Sequence, residues 1–288
     1  GSMRVFRDLL KNDHRFLIGV IILSLVLLLA LLSLFSPYPP QKRRVVKRNL
    51  PAAWQHPLGG NSLGQDIFWK LTYAVRNSLL LGVLVAFFSR VIAMTNGLIS
   101  GYVGGRTDRI LSTLADSFIV VPRLPILILI SFALKARMSL LTTVLVLAVW
   151  DWAWPSKRYR AQVLSLRERG FTYTSIFSGS NIFQVVVKEH FPFLIPYMMA
   201  DFISGFLWAI AMEITLSVLG LSALTTPTIG TMIYWANYYQ AILRGTWLWI
   251  VPPIFTSVLT VISFYLISVS MSEFLDPRTR LQRIKVKG

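Results

Sequence analysis

Three ionisable residues stand inside long apolar runs of this chain: Arg90 beyond Phe87-Phe88, Asp201 after Met198-Met199-Ala200, and Glu213 between Met212 and Ile214. A lone charge at mid-bilayer costs about 3 kcal/mol, so each must face protein, a water-filled cavity or a partner subunit. Two chemistries suit such groups. They can join in an interhelical ion pair that fixes packing, or line a polar path for a solute, and for Arg90 and Glu213 both readings stay open. Asp116 and Arg123 lie close enough to the end of a run to snorkel, which assigns them to packing or anchoring. Catalytic chemistry finds no footing. The chain has no cysteine, and His14, His56 and His190 are too scattered to form a metal-binding pair on a helix. It also has no Gly-rich phosphate loop with a Walker-type lysine and no nucleophile beside a base, so we expect no catalytic site, metal or cofactor.

The elements that must hold these charges are set by composition. Of 288 residues, 55% are hydrophobic and 14% charged, with a mean hydropathy of +0.61, which is membrane-protein territory. A spanning helix needs roughly 20 apolar residues. Residues 16–35 supply the first run, followed by about 77–102, 110–134, 138–155, 191–221 and 247–271. The expected fold is an all-α membrane protein with six transmembrane helices and both termini cytoplasmic. Lys and Arg counts favour that orientation, with 17 inside against 10 outside, although Lys42, Arg43, Arg44, Lys47 and Arg48 fall outside against the trend. The net charge of +17 is distributed between apolar runs, which argues against a nucleic-acid partner.

The expected organisation is a cytoplasmic segment 1–15, a first transmembrane helix 16–35, an external segment 36–76 and a five-helix core 77–280 with a long cytoplasmic loop at about 163–192. A cytoplasmic tail, 281–288, completes it. Gly1-Ser2 ahead of Met3 is read as a cloning scar, and the first run as an anchor rather than a cleaved signal. Trp150, Trp152, Trp154, Trp235, Trp247 and Trp249 crowd the ends of runs, as an interfacial belt would, with ligand stacking the alternative for Trp235 and Tyr238. Gly97, Ser100 and Gly101, and Ser204 with Gly205, allow close helix approach. Pro252-Pro253 should bend the last span and free a backbone carbonyl. In the long loop, Phe171, Tyr173, Ile176 and Phe177 lie in a polar setting with a turn-permitting Gly179 beyond them. That pattern suits a short helix plugging into a groove of another protein, or aromatics resting on the bilayer surface.

Five strings stand in order along the chain: His56-Pro57-Leu58-Gly59 with Leu63-Gly64-Gln65-Asp66; Gly101-Tyr102-Val103-Gly104-Gly105-Arg106-Thr107-Asp108-Arg109; Val163-Leu164-Ser165-Leu166-Arg167-Glu168-Arg169; Glu213 to Leu221; and Leu275-Asp276-Pro277-Arg278. Together they resemble the C-type permease subunits of binding-protein-dependent ABC importers for dipeptides and oligopeptides, over nearly the whole chain from Val20 to Arg280. The resemblance implies a multi-pass inner-membrane permease that works with a second permease subunit, two cytoplasmic ATPase subunits and an external solute-binding protein. ATP hydrolysis is expected on those partners and not here.

The resemblance also implies an ATPase-docking loop built on Arg167, Glu168, Phe171, Tyr173, Thr174, Ser175, Ile176, Phe177, Gly179 and Pro192. Gly179 and Pro192 keep the family's frame, while Tyr173-Thr174-Ser175 replaces its Glu-Ala-Ala, Gly170 its aspartate and Gln65 an external arginine. Glu213 matches a family glutamate, whereas Arg90 matches none. Such permeases also serve oligosaccharide and nickel-complex importers. The rival of another class, an autonomous channel or secondary carrier, would call for a selectivity ring or inverted halves that the sequence does not display.

Overall fold

The computed structural model describes residues 9–11, 13–168 and 182–275, and among these the regular structure is helical. Helix α1, His14–Leu32, starts two residues before the apolar run because Asp13 caps it, its Oδ1 accepting the N–H groups of Arg15 at 3.0 Å and Phe16 at 3.4 Å. A 3₁₀ turn, Ser33–Phe35, ends it ahead of Pro37.

Helix α2, Ile67–Val103, has 37 residues and is about 55 Å long. It begins ten residues earlier than the hydropathy suggests, because Asp66 Oδ1 accepts the Trp69 N–H at 3.1 Å. The charges that interrupt its first turns are accommodated locally. Lys70 Nζ donates to the Pro40 carbonyl at 2.8 Å, and the Arg76 guanidinium lies 4.9 Å from the Tyr73 ring centroid.

The third run is two helices, α3 (Gly105–Val120) and α4 (Arg123–Ala133), bent by 81° at the break. Pro122 forces the preceding Val121 into extended backbone, and the helix stops there. Helix α5, Leu140–Trp150, is apolar but only 11 residues long, and α6, Ala153–Arg167, follows almost at once. Beyond the loop come a helical turn Ile182–Val185, a π turn Val186–His190 and α7, Phe191–Val218. Helix α8, Ile229–Tyr238, carries a reciprocal cap between Thr228 and Thr231, and α9, Trp247–Leu275, runs unbroken through Pro252 and Pro253. Among the described residues four helices are long and apolar enough to cross a membrane, and the bent pair makes a fifth when taken as one span.

The chain divides into two compact units. One takes in the chain up to Gly82, Ser131–Thr143 and everything from Leu207. In it α1 packs on α9 where Gly19 leaves room, since a Cβ there would sit 3.0 Å from the Ser263 carbonyl. Arg15 closes the same pair, donating to both Glu273 carboxylate oxygens at 3.0 and 2.5 Å. The other unit is Val83–Ile130 with Val144–Phe206. Its core gathers Ala93, Ala115, Trp152, Ala153 and Tyr159. Trp152 is thus a core residue rather than part of an interfacial belt: it is 5% exposed and meets Phe118 edge-on at 5.2 Å.

Candidate functional site

Helix α6 is bound to its neighbours by five consecutive side chains. Ser156 Oγ donates to Asn96 Oδ1 at 2.5 Å, and Lys157 pairs with Asp116 at 2.8 Å. Arg158 Nη2 donates to Asp201 Oδ1 at 2.7 Å, and Tyr159 Oη donates to Asp201 Oδ2 at 3.1 Å. Arg160 donates through Nε and Nη2 to both Asp108 oxygens at 2.6 Å. Burial, with the Asp201 carboxylate alongside, pushes the Tyr159 hydroxyl up, so it stays protonated and donating. The Asp108 carboxylate likewise holds the Arg160 guanidinium above its ordinary value.

This density of contact is possible because α6 lies almost on the backbone of α2. A Cβ on Gly97 would collide with the Ser156 carbonyl and approach Tyr159 Cβ to 2.8 Å, and one on Gly101 would meet Val163 Cγ1 at 2.8 Å. The small-residue spacing seen in the sequence therefore serves α6. At the far end of that helix, Arg167 Nη1 donates to the Gly101 carbonyl at 2.7 Å.

Arg90, on α2, is buried in the same unit. Its Nη1 donates to Asp151 Oδ2 and to Ser89 Oγ, and its Nε lies 3.0 Å from Asp201 Oδ2. Arg123 Nη1 reaches the other Asp151 oxygen at 3.3 Å. Arg90, Asp151 and Asp201 are each 5% exposed or less. Gly205 makes the space: a Cβ there would sit 2.5 Å from the guanidinium carbon of Arg90. Three arginines thus share two buried carboxylates. Twelve residues further along α2, the Tyr102 hydroxyl lies 2.7 Å from His190 Nδ1, with the rings stacked.

Glu213 is held by other means. Ser217 Oγ and Thr228 Oγ1 each donate to its Oε1 at 2.6 Å. Its Oε2 faces the first turn of α8, so close that a Cβ on Gly230 would come within 2.8 Å. That is the positive end of the helix dipole.

Over residues 93–281 the sequence matches the family described as binding-protein-dependent transport system inner membrane component. The chain belongs to that family. It is 27% identical to the dipeptide transport system permease protein DppC of Bacillus subtilis, over 94% of this chain and 84% of that one. It is 31% identical to the oligopeptide transport system permease protein OppC of Mycobacterium bovis, over 82% of this chain and 81% of that one. Among solved structures its fold resembles the MetNI methionine ABC transporter in an inward-facing form, with a TM-score of 0.54 at 15% identity, over 70% of this chain and 96% of the other. The protein is accordingly a multi-pass permease subunit of an ABC importer.

In this permease the motif residues ahead of α2 fold the segment between α1 and α2. Asn61 Oδ1 accepts the N–H groups of Leu63 and Gln65 at 2.9 Å, and Gly59 and Gly64 take positive φ. The basic stretch is laced onto them by its backbone, with the Arg44 N–H donating to the Leu63 carbonyl and the Val45 N–H to that of Gly64. Gln65, where the family's arginine was expected, is buried and donates to the Lys42 carbonyl at 3.3 Å. Arg43 lies 5.7 Å from the ring centroid of Trp235, whose indole N–H donates to the Leu224 carbonyl at 2.9 Å.

Of the residues singled out in the sequence, Arg90 and Asp201 meet, while Glu213 has partners of its own. The pairing of Arg90 with Glu213 gives way to these separate arrangements. Glu168 caps the end of α6 and Pro192 lies in the first turn of α7. Phe171, Tyr173, Thr174, Ser175, Ile176, Phe177 and Gly179 lie outside the described residues. Sequence reasoning missed Asp151, Arg158, Tyr159 and the pair Asp108–Arg160. Its available signal was the run Asp151 to Arg160, where charges alternate with aromatics directly after an apolar helix.

Proposed function

We propose that this permease forms, with a second permease subunit, the membrane path for dipeptides or oligopeptides. An external solute-binding protein delivers them, and two cytoplasmic ATPase subunits drive transport. The observation that carries the substrate class is the alignment, over four-fifths or more of both chains, with relatives named for dipeptide and oligopeptide transport. The stretch from Arg167 to Pro192 docks an ATPase subunit, with Phe171, Tyr173, Thr174, Ser175, Ile176, Phe177 and Gly179 at the contact and Glu168 beside them. Support comes from its position between α6 and α7, its surviving Gly179 and Pro192 frame and its aromatic anchor. The chain's ends and this loop face the cytoplasm. Arg90, Asp201 and Glu213 hold helices to one another rather than line the solute path, because ion pairs meet Arg90 and Asp201 and two hydroxyls donate to Glu213 Oε1.

Copurification tests the assembly. Phe177→Asp should place an unpaired charge in an apolar groove and weaken ATPase association by about 2 kcal/mol or more, and retained ATPase with unchanged peptide uptake would rule the site out. Because the chain has no cysteine, Trp54→Cys, at a 99% exposed position, and Gln282→Cys report sidedness cleanly. They should label from opposite faces of intact cells.

A further inference from the structure

We infer that Arg90, Asp151, Asp201 and Arg158 form the joint through which the ATPase-docking loop and the membrane helices move together. This rests on the docking role proposed above. Helix α6 runs into the loop and α7 leads out of it, and a single carboxylate, Asp201 on α7, is held from both sides. Arg158 and Tyr159 reach it from α6, and Arg90 from α2. Arg90 also reaches Asp151, which lies just ahead of α6. The helices on either side of the loop are therefore fastened to one another and to a spanning helix by the same few charges.

Packing alone does not call for such a network. Burying ion pairs gains little over apolar residues of the same volume, and their better-attested use is to fix one register between elements. Here α6 already has a close seat at Gly97 and Gly101, so the charges contribute direction and register to a contact that glycines make tight. The network is also over-supplied with donors. Asp201 keeps Arg90 and Tyr159 when Arg158 is removed, and Arg158 is 52% exposed at its rim. Loss of Arg158 should loosen the joint without leaving a bare buried charge. Gly205→Ala acts on the same joint from the other side, displacing Arg90 while every charge remains.

The test uses the complete importer in proteoliposomes, with ATP hydrolysis and uptake of a labelled peptide measured on the same preparation. Arg158→Ala and Gly205→Ala should copurify their ATPase subunits and hydrolyse ATP within about twofold of the parent, while peptide moved per ATP falls about tenfold. Arg158→Lys, which keeps the charge, should restore most of that ratio. An unchanged ratio in both alanine variants overturns the joint, as does a loss of uptake and hydrolysis in strict proportion to assembled complex, which is what a packing role alone produces. If the parent chain itself fails to bring down ATPase subunits, the docking reading falls first and the joint with it.

Discussion

Arg90 and Glu213 are both buried charges inside apolar helices, and the chain answers them with opposite chemistry. Arg90 meets full negative charges, drawn from Asp151 and Asp201, 61 and 111 residues away in sequence. Glu213 meets only dipoles: the hydroxyls of Ser217, one turn on, and Thr228, plus the start of α8. The first arrangement ties three segments of chain into one body and depends on all of them being in place. The second is a local fixture that pins the α7–α8 connection. Charge matched by charge leaves a costly remainder when one member is removed, whereas charge matched by hydroxyls can be neutralised in place with little loss.

The most damaging way to break this comparison is Arg90→Leu. It leaves two buried carboxylates short of their shared cation and should cost about 4 kcal/mol. The permease should then fail to accumulate in membranes, as measured by yield and by thermal aggregation in detergent. Asp201→Asn should cost about 2 kcal/mol, because Arg90 and Arg158 lose a charged acceptor but keep an amide oxygen. At the other site, Gly230→Ala pushes a methyl group against Ser217 and Glu213 and should cost about 1–2 kcal/mol as overpacking, read as a lowered melting temperature.

Glu213→Gln sharpens the contrast. Its amide oxygen still accepts from both hydroxyls, while its NH2 replaces Oε2 against the first turn of α8, so the loss should be about 1 kcal/mol. A penalty matching that of Asp201→Asn would show that Glu213 also answers a full charge. The smallest effect expected is a coupling. Because Arg90 and Glu213 share no partner, the double variant Arg90→Leu with Glu213→Leu should equal the sum of the single ones to within about 0.5 kcal/mol. A double variant that assembles better than either single one would restore their pairing.

Several features are legible in the sequence alone. Arg90 and Asp201 were conspicuous as charges in apolar runs, and Gly97 and Gly101 as a surface for close approach. Others were hidden for physical reasons. Helix α8 is short and rich in Trp and Tyr, so it reads as an interfacial loop, and its only local sign is the Thr228-x-x-Thr231 cap. The early start of α2 was masked by Lys70 and Arg76, which look like loop charges until the Pro40 carbonyl and the Tyr73 ring are found beside them. Trp152 resembles its neighbours Trp150 and Trp154, and only its burial, against a half-buried Trp150 and an exposed Trp154, distinguishes it.

Sequence by itself determined that this is a helical membrane permease and where most of its apolar helices lie. The reason is that lipid offers the backbone no hydrogen bonds, so each span must satisfy its own and advertise itself as a long apolar run. Which charge answers which was decided only by tertiary structure. Asp151 sits at the end of an apolar run and Arg158 in a polar stretch, unremarkable as letters. They matter because α6 folds back onto two glycines of α2 and brings its side chains to Asp201. An ion pair depends on a few ångströms of separation in space, and separation along the chain does not encode that.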